Sequence, residues 1–153
     1  MADQIDQVFN TQIATLMMQL FALVEACPAG RVTTYGWLGK ALGYPRGARM
    51  IGWMMRATPD EVPAHRVINS KGELTGSKAF GQIGRMRKLL EDEGIIFSAN
   101  GTVNLTRYGW DPTRDLSETE RQQILETDSE PTIAPDASLL HLLHDDPASP
   151  FKA

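Results

Sequence analysis

A chain of 153 residues, 42% hydrophobic and 22% charged, is most simply one soluble globular domain with room for an appendage. No basic residue lies in Met1 to Asn10, so no secretory or transit segment is expected. The longest apolar stretch, Ile13 to Ala26, is broken by Thr15, Gln19 and Glu25 and falls short of the ~18–20 residues of a membrane span.

The lone Cys27 excludes an intrachain disulfide and argues against a zinc cluster, so a reducing cytoplasm is the expected location. The net charge of −4 conceals a partition. Residues 31–88 carry eleven Lys or Arg against Asp60, Glu61 and Glu73, a net +8. Residues 111–153 carry three basic side chains against ten acidic ones, a net −7. Phosphate neutralisation depends on the local field, so the basic block points to nucleic acid although the whole chain is acidic.

In chain order, Ile5, Val8, Phe9, Ile13, Leu16, Met17, Leu20, Leu23 and Val24 recur at spacings of three and four. This predicts a helix over residues 4–26, ended by Cys27-Pro28-Ala29-Gly30. Thr33-Thr34 offers an N-cap for "YGWLGKALG", with Gly43 as its C-cap. Pro45 is expected to open the next helix, "PRGARMIGWMMRAT", with Ile51 and Met55 as its inner pair. Two short helices joined by a Gly-containing turn form a helix-turn-helix pattern. Beyond Thr58-Pro59 the chain reads as extended, with a turn at Ser70-Lys71-Gly72. A Gly-rich stretch then leads into a helix holding Arg85, Arg87 and Lys88 and ending at Glu93. Ile95 to Phe97 and Val103 to Leu105 flank Asn100-Gly101, a hairpin signal that suggests a wing. From Ser117 the chain turns acidic and Pro-containing, and a flexible tail is expected over 117–153, leaving a domain over 1–116.

Several residues are candidates for function. Arg49, Trp53 and Arg56 share one face of the second helix, and Gly47, Ala48 and Gly52 keep that face thin. A thin helix with a central Arg suits insertion into a narrow groove, where the Arg can fill the space left by an extruded base. Tyr35 is a candidate for phosphate contact or stacking, and Thr33 and Thr34 for hydroxyl contacts. His65 and Glu93 are candidates for a hydrogen-bonded pair of the kind that tunes or orients an imidazole. His141 and His144 beside Asp145 and Asp146 have the look of metal ligands. They lack a supporting shell, so no metal or other cofactor is expected. Cys27 has no cationic sequence neighbour to lower its pKa and reads as packing.

With those motifs in view, "GRVTTYGWLGKALGYPRGARMIGWMMRATPDEVPAHRVINSKGELTG…LLEDEG" resembles the DNA-binding domain of the O6-alkylguanine-DNA alkyltransferases. The family signature Pro-Cys-His-Arg-Val stands here as Pro63-Ala64-His65-Arg66-Val67, which is similar to the alkyltransferase-like proteins that lack the acceptor cysteine. The resemblance covers about residues 13 to 112. It implies a mainly α, winged helix-turn-helix domain with a short β-hairpin. It implies DNA contacts from Thr34, Tyr35, Arg49, Gly52, Arg56 and Arg66, with Arg49 replacing the flipped nucleotide and Tyr35 crowding the rotated 3′ phosphate. A lesion pocket would draw on Tyr35, Met55, Ala64, Val67, Ser77 and Lys78, and His65 and Glu93 would be a remnant of the relay that deprotonates the acceptor thiol.

Alkyl transfer needs a thiolate, and an alanine methyl has no lone pair. The expected function is therefore non-enzymatic: a monomer that binds duplex DNA containing O6-alkylguanine, flips the nucleotide and flags it for nucleotide-excision repair. Three other readings stand beside it: an active transferase accepting alkyl groups on Cys27, an active transferase whose acceptor has been changed to Ala64, and a winged-helix transcription regulator. Thr58, where the transferases carry a hinge asparagine, is a second departure from the family pattern.

Overall fold

The computed structural model describes the backbone of residues 2–75 and 84–126, and side chains from residue 12 onward within those ranges. Helix α1 spans Ala2–Ala26. Its recurrence of three and four turns Ile13, Met17, Leu20 and Val24 to one face, and all four are buried. Each such side chain contributes about 1.5–3 kcal/mol on leaving water. Strand β1 (Thr33–Thr34) runs directly into α2 (Tyr35–Ala41), because Thr34 holds extended backbone while its hydroxyl accepts from the Trp37 amide at 3.0 Å.

Helix α3 covers Ala48–Met54. It begins later than Pro45 because residues 44–47 form a closed turn, with the Gly47 amide donating to the Tyr44 carbonyl at 2.9 Å. Pro45 takes the second position of that turn, where its fixed φ is useful. The two helices meet closely at Gly39, where a Cβ would stand 2.8 Å from the Tyr44 carbonyl oxygen. A 3₁₀ turn, Met55–Ala57, extends α3, and a second, Ala64–Arg66, precedes strand β2 (Val67–Ile68). β1 and β2 pair in parallel, Thr33 opposite Val67 and Thr34 opposite Ile68. This pairing joins the start of the helix-turn-helix to the Pro63–Val67 segment. The remaining helices are α4 (Arg85–Asp92), α5 (Leu105–Tyr108), α6 (Pro112–Asp115) and α7 (Glu118–Leu125).

The mainly helical fold matches expectation, but the hairpin does not form as a strand pair. Residues 95–105 hold no assigned strand; the Ser98 amide donates to the Thr102 carbonyl at 2.9 Å, and the Asn100 side chain accepts from Ser98 and Thr102. The flanking backbone bonds elsewhere. The Val103 amide donates to the Gly72 carbonyl at 2.9 Å, and the Ile96 amide donates to the Tyr108 hydroxyl at 3.1 Å. With those groups committed, no ladder extends from the Asn-Gly turn.

Two apolar clusters support the fold. One joins α1 to Leu38, Ile51, Trp53, Met54, Met55, Val62 and Val67. The other gathers Val32, Ile68, Met86, Leu90, Ile95, Val103 and Tyr108. Packing continues past residue 116. Ser117 and Glu120 form a capping box for α7, Ile124 and Leu125 pack against the first cluster, and the Gln19 amide donates to the Leu125 carbonyl at 3.2 Å. The rest of the expected tail, with His141 and His144, lies outside the described residues.

Gly72 has φ +79°, and a Cβ there would lie 2.3 Å from the Val103 carbonyl oxygen. Gly72→Ala is expected to destabilise the domain by about 2 kcal/mol or more, from a left-handed conformation and a backbone clash together. Urea unfolding of the variant against wild type measures this, and an unchanged midpoint would contradict the placement of the 69–73 turn.

Candidate functional site

The outer face of the helix-turn-helix is basic and thin. Arg49 is exposed in the first turn of α3. Gly52 follows one turn on, and a Cβ there would meet no atom within 4 Å. Arg56 is exposed beyond it, its guanidinium 4.2 Å above the Trp53 ring. That cation–π contact props Arg56 outward from a buried aromatic base.

Beside this face opens a cleft of about 580 Å³, within the roughly 300–1,000 Å³ range of small-molecule sites. Met55 and Arg56 line it, as do Arg85 and Leu89 of α4 and Pro63, Ala64 and His65. Among the described residues the rest of the lining runs from Thr58 to Val62 and includes Asp60 and Glu61. Thr58 turns back on its own helix, its amide and hydroxyl both donating to the Met55 carbonyl.

Behind the 3₁₀ turn that carries Ala64 lies a compact ionic cluster. His65 Nε2 is 3.0 Å from Glu93 Oε2. Arg66 donates through Nε to both carboxylate oxygens at 3.0 Å and through Nη2 to Oε2 at 2.6 Å. Its remaining Nη1 donates to the Cys27 carbonyl at 2.9 Å. Burial alone would raise the Glu93 carboxyl, but hydrogen bonds from Arg66 and His65 outweigh it and hold the group below its ordinary 4.5. The cluster thus ties the end of α1 and the end of α4 to the segment beneath the cleft.

The predicted residues fall into three groups. The cleft brings Met55, Arg56, Ala64 and His65 together, with Arg49 and Gly52 on the adjoining face of α3. Others turn inward. Thr34 is buried as the α2 cap, Val67 is buried in β2, and Arg66, expected among the DNA contacts, has its guanidinium committed to Glu93 and Cys27. Tyr35 is half-buried against the first apolar cluster. Burial raises its phenol above 10.0, and a hydrogen bond with Thr75 opposes that rise. Ser77 and Lys78 lie outside the described residues. Cleft residues that sequence reasoning missed are Asp60, Glu61, Arg85 and Leu89. Only Arg85 carried a local signal, a cation at the unfavourable end of a helix.

Cys27 is buried at 1% exposure and does not line the cleft. Burial dominates its titration and pushes the thiol up to about 12 despite the nearby Arg66. Among the described residues no three His, Cys, Asp or Glu side chains converge as metal ligands, and no helix is long and apolar enough to cross a membrane.

A helix-turn-helix flanked by this cleft defines a DNA-binding domain of the alkyltransferase type. Residues 15–95 match the family described as 6-O-methylguanine DNA methyltransferase, DNA binding domain, and the chain belongs to that family. It is 38% identical over 98 residues to the DNA base-flipping protein of Vibrio parahaemolyticus, covering 63% of this chain and 96% of that one. It is 35% identical over 100 residues to alkyltransferase-like protein 1 of Schizosaccharomyces pombe, covering 61% and 93%. A crystal structure of the S. pombe protein in complex with damaged DNA containing O6-carboxymethylguanine superposes with a TM-score of 0.53 at 32% identity, covering 63% of this chain and 95% of that one.

Glu93→Gln keeps the shape of the side chain but removes the charge facing Arg66. At neutral pH the variant is expected to lose about 1–3 kcal/mol of stability. Because the folded carboxyl titrates below its unfolded value, that contribution is present above about pH 4.5 and fades as pH falls through the lower folded value. Urea midpoints of wild type and variant should therefore converge on acidification; a gap independent of pH would refute the assignment.

Proposed function

We propose that the protein binds O6-alkylguanine in duplex DNA, swings the nucleotide into the cleft over Ala64 and holds it there without alkyl transfer. Ala64 is the observation that carries this reading. It lies on the cleft next to the His65–Glu93 pair, at the position where the family signature has its acceptor cysteine, and it offers no nucleophile. Cys27 is a poor substitute, being buried, away from the cleft lining and almost wholly protonated at neutral pH. With no acceptor at residue 64, His65 and Glu93 serve the turn and not a proton transfer.

Flipping a base costs a few kcal/mol, less where a lesion already weakens pairing. Phosphate contacts from the basic block offset part of that cost, and Arg49 offsets more by occupying the vacated stack. The small side chain of Ala64 and the inward turn of Thr58 leave room for adducts larger than methyl, and the bare backbone at Gly52 allows close approach of the groove. A lesion held in this way, with no product to release, is a marker, and nucleotide-excision repair is the pathway it would serve. The protein acts as a monomer in the cytoplasm on this reading.

Titration of an O6-methylguanine duplex against its undamaged counterpart tests the proposal, followed by intact-mass measurement of the protein. Tighter lesion binding that weakens steeply with salt, with no gain in mass, is the expected result. A mass increase of one alkyl group, or equal affinity for both duplexes, would overturn it.

Gly52 supplies a sharper test of the docking face. Ala in a helix interior is favoured over Gly by about 1 kcal/mol, and nothing within the protein obstructs a methyl there. Gly52→Ala should raise the unfolding midpoint while weakening DNA binding about tenfold or more. A variant that is more stable and binds DNA as well as wild type would remove α3 from the interface.

A further inference from the structure

Most cations near the cleft are accounted for. Arg56 rests over Trp53, Arg66 is paired with Glu93, and Arg87 is paired with Glu91 at 3.2 Å and lies 4.6 Å over the Phe97 ring. Arg85 is different. It is exposed and lines the cleft from α4, and among the described residues it forms no ion pair or hydrogen bond. Asp60 and Glu61 line the same cleft, yet neither is bridged to it.

Local structure gives Arg85 no purpose. It is the first residue of α4, a helix with no acidic residue in its first turn, so its charge opposes the helix dipole. Among the described residues its guanidinium lies over no aromatic ring, as those of Arg56 and Arg87 do. It lines the same cleft as Arg56, from an element outside the helix-turn-helix. Two guanidinium groups from separate elements line one cleft, with no acidic bridge to either among the described residues, and such a pair suits an oxygen anion.

We infer that Arg85 is a specificity-determining contact of this site, adding a second guanidinium to that of Arg56 to hold an oxyanion of the bound nucleotide. The inference rests on the cleft receiving a flipped guanine. Two groups supply that chemistry: a backbone phosphate of the rotated nucleotide, or the carboxylate of an O6-carboxymethyl adduct. Both are planar or tetrahedral oxygen anions that Arg engages through paired N–H donors, and each would be met as the nucleotide enters the cleft.

The experiment compares full-length wild type, Arg85→Ala and Arg85→Lys on three duplexes: undamaged, O6-methylguanine and O6-carboxymethylguanine. Dissociation constants are measured across a salt series. Arg85→Ala is expected to fold as stably as wild type and to bind at least one lesion duplex on the order of tenfold more weakly, with partial recovery in Arg85→Lys. A phosphate contact weakens both lesion duplexes alike and lowers the salt slope by about one. A carboxylate contact weakens only the carboxymethyl duplex and leaves the methyl duplex untouched. Wild-type affinity and salt slope on all three duplexes in Arg85→Ala would overturn the inference. If wild type itself fails to prefer either lesion, the lesion reading falls. The undamaged duplex then decides for Arg85: a loss of affinity with a lower slope keeps the phosphate contact, and no change ends it.

Discussion

Glu93 sits just past the last turn of α4, and its carboxylate accepts from Arg66 and His65 while Arg66 also donates to the carbonyl that ends α1. Three parts of the chain, the ends of two helices and the 63–67 segment, are thereby held by one guanidinium and one carboxylate. The geometry is largely enclosed, with 16% of the Arg66 side chain and 14% of the Glu93 side chain exposed. Ion pairs of this kind are costly to desolvate and still costlier to break. The parallel pairing of β1 with β2 adds a second restraint from the other side of the segment. The Ala64–Arg66 turn that lines the cleft is thus supported by long-range bonds and not by its own short 3₁₀ turn alone.

Around that turn, the site is shaped by omission. Ala64 has no functional group, Thr58 directs its hydroxyl back to Met55, and Gly52 leaves open space where other helices would carry a side chain. A mid-helix glycine costs stability and is justified only if something outside the protein must come close. On the proposed reading that outside body is the DNA groove. The His65–Glu93 pair has a structural role in any case: removing Glu93 would leave Arg66 charged and enclosed without its counter-ion.

Charge is distributed in keeping with this. Of the outward-facing basic residues of 31–88, Arg56 and Arg85 line the cleft and Arg49 is exposed on α3, while Arg66 turns inward to hold the frame. Asp60 and Glu61 interrupt the basic rim. Such a mixed rim carries a weaker positive potential than a uniformly basic surface would have.

The amino-acid sequence determined what depends on near neighbours. The recurrence in α1, the Thr34 cap of α2, the thin face of α3 and the absence of sulfur at residue 64 are all local facts, and each is legible from residues within one or two turns. The His65–Glu93 pair was legible as a candidate because only a few residue types can form it. The tertiary structure decided what depends on distant partners: that Arg66 faces Glu93 and Cys27, that Arg85 and Arg56 line one cleft, and that α7 packs back on α1. It also decided against the hairpin, whose Asn-Gly turn forms while its flanks bond to Gly72 and Tyr108. A local pattern sets what a backbone can do; which donor meets which acceptor is settled only when the chain closes on itself.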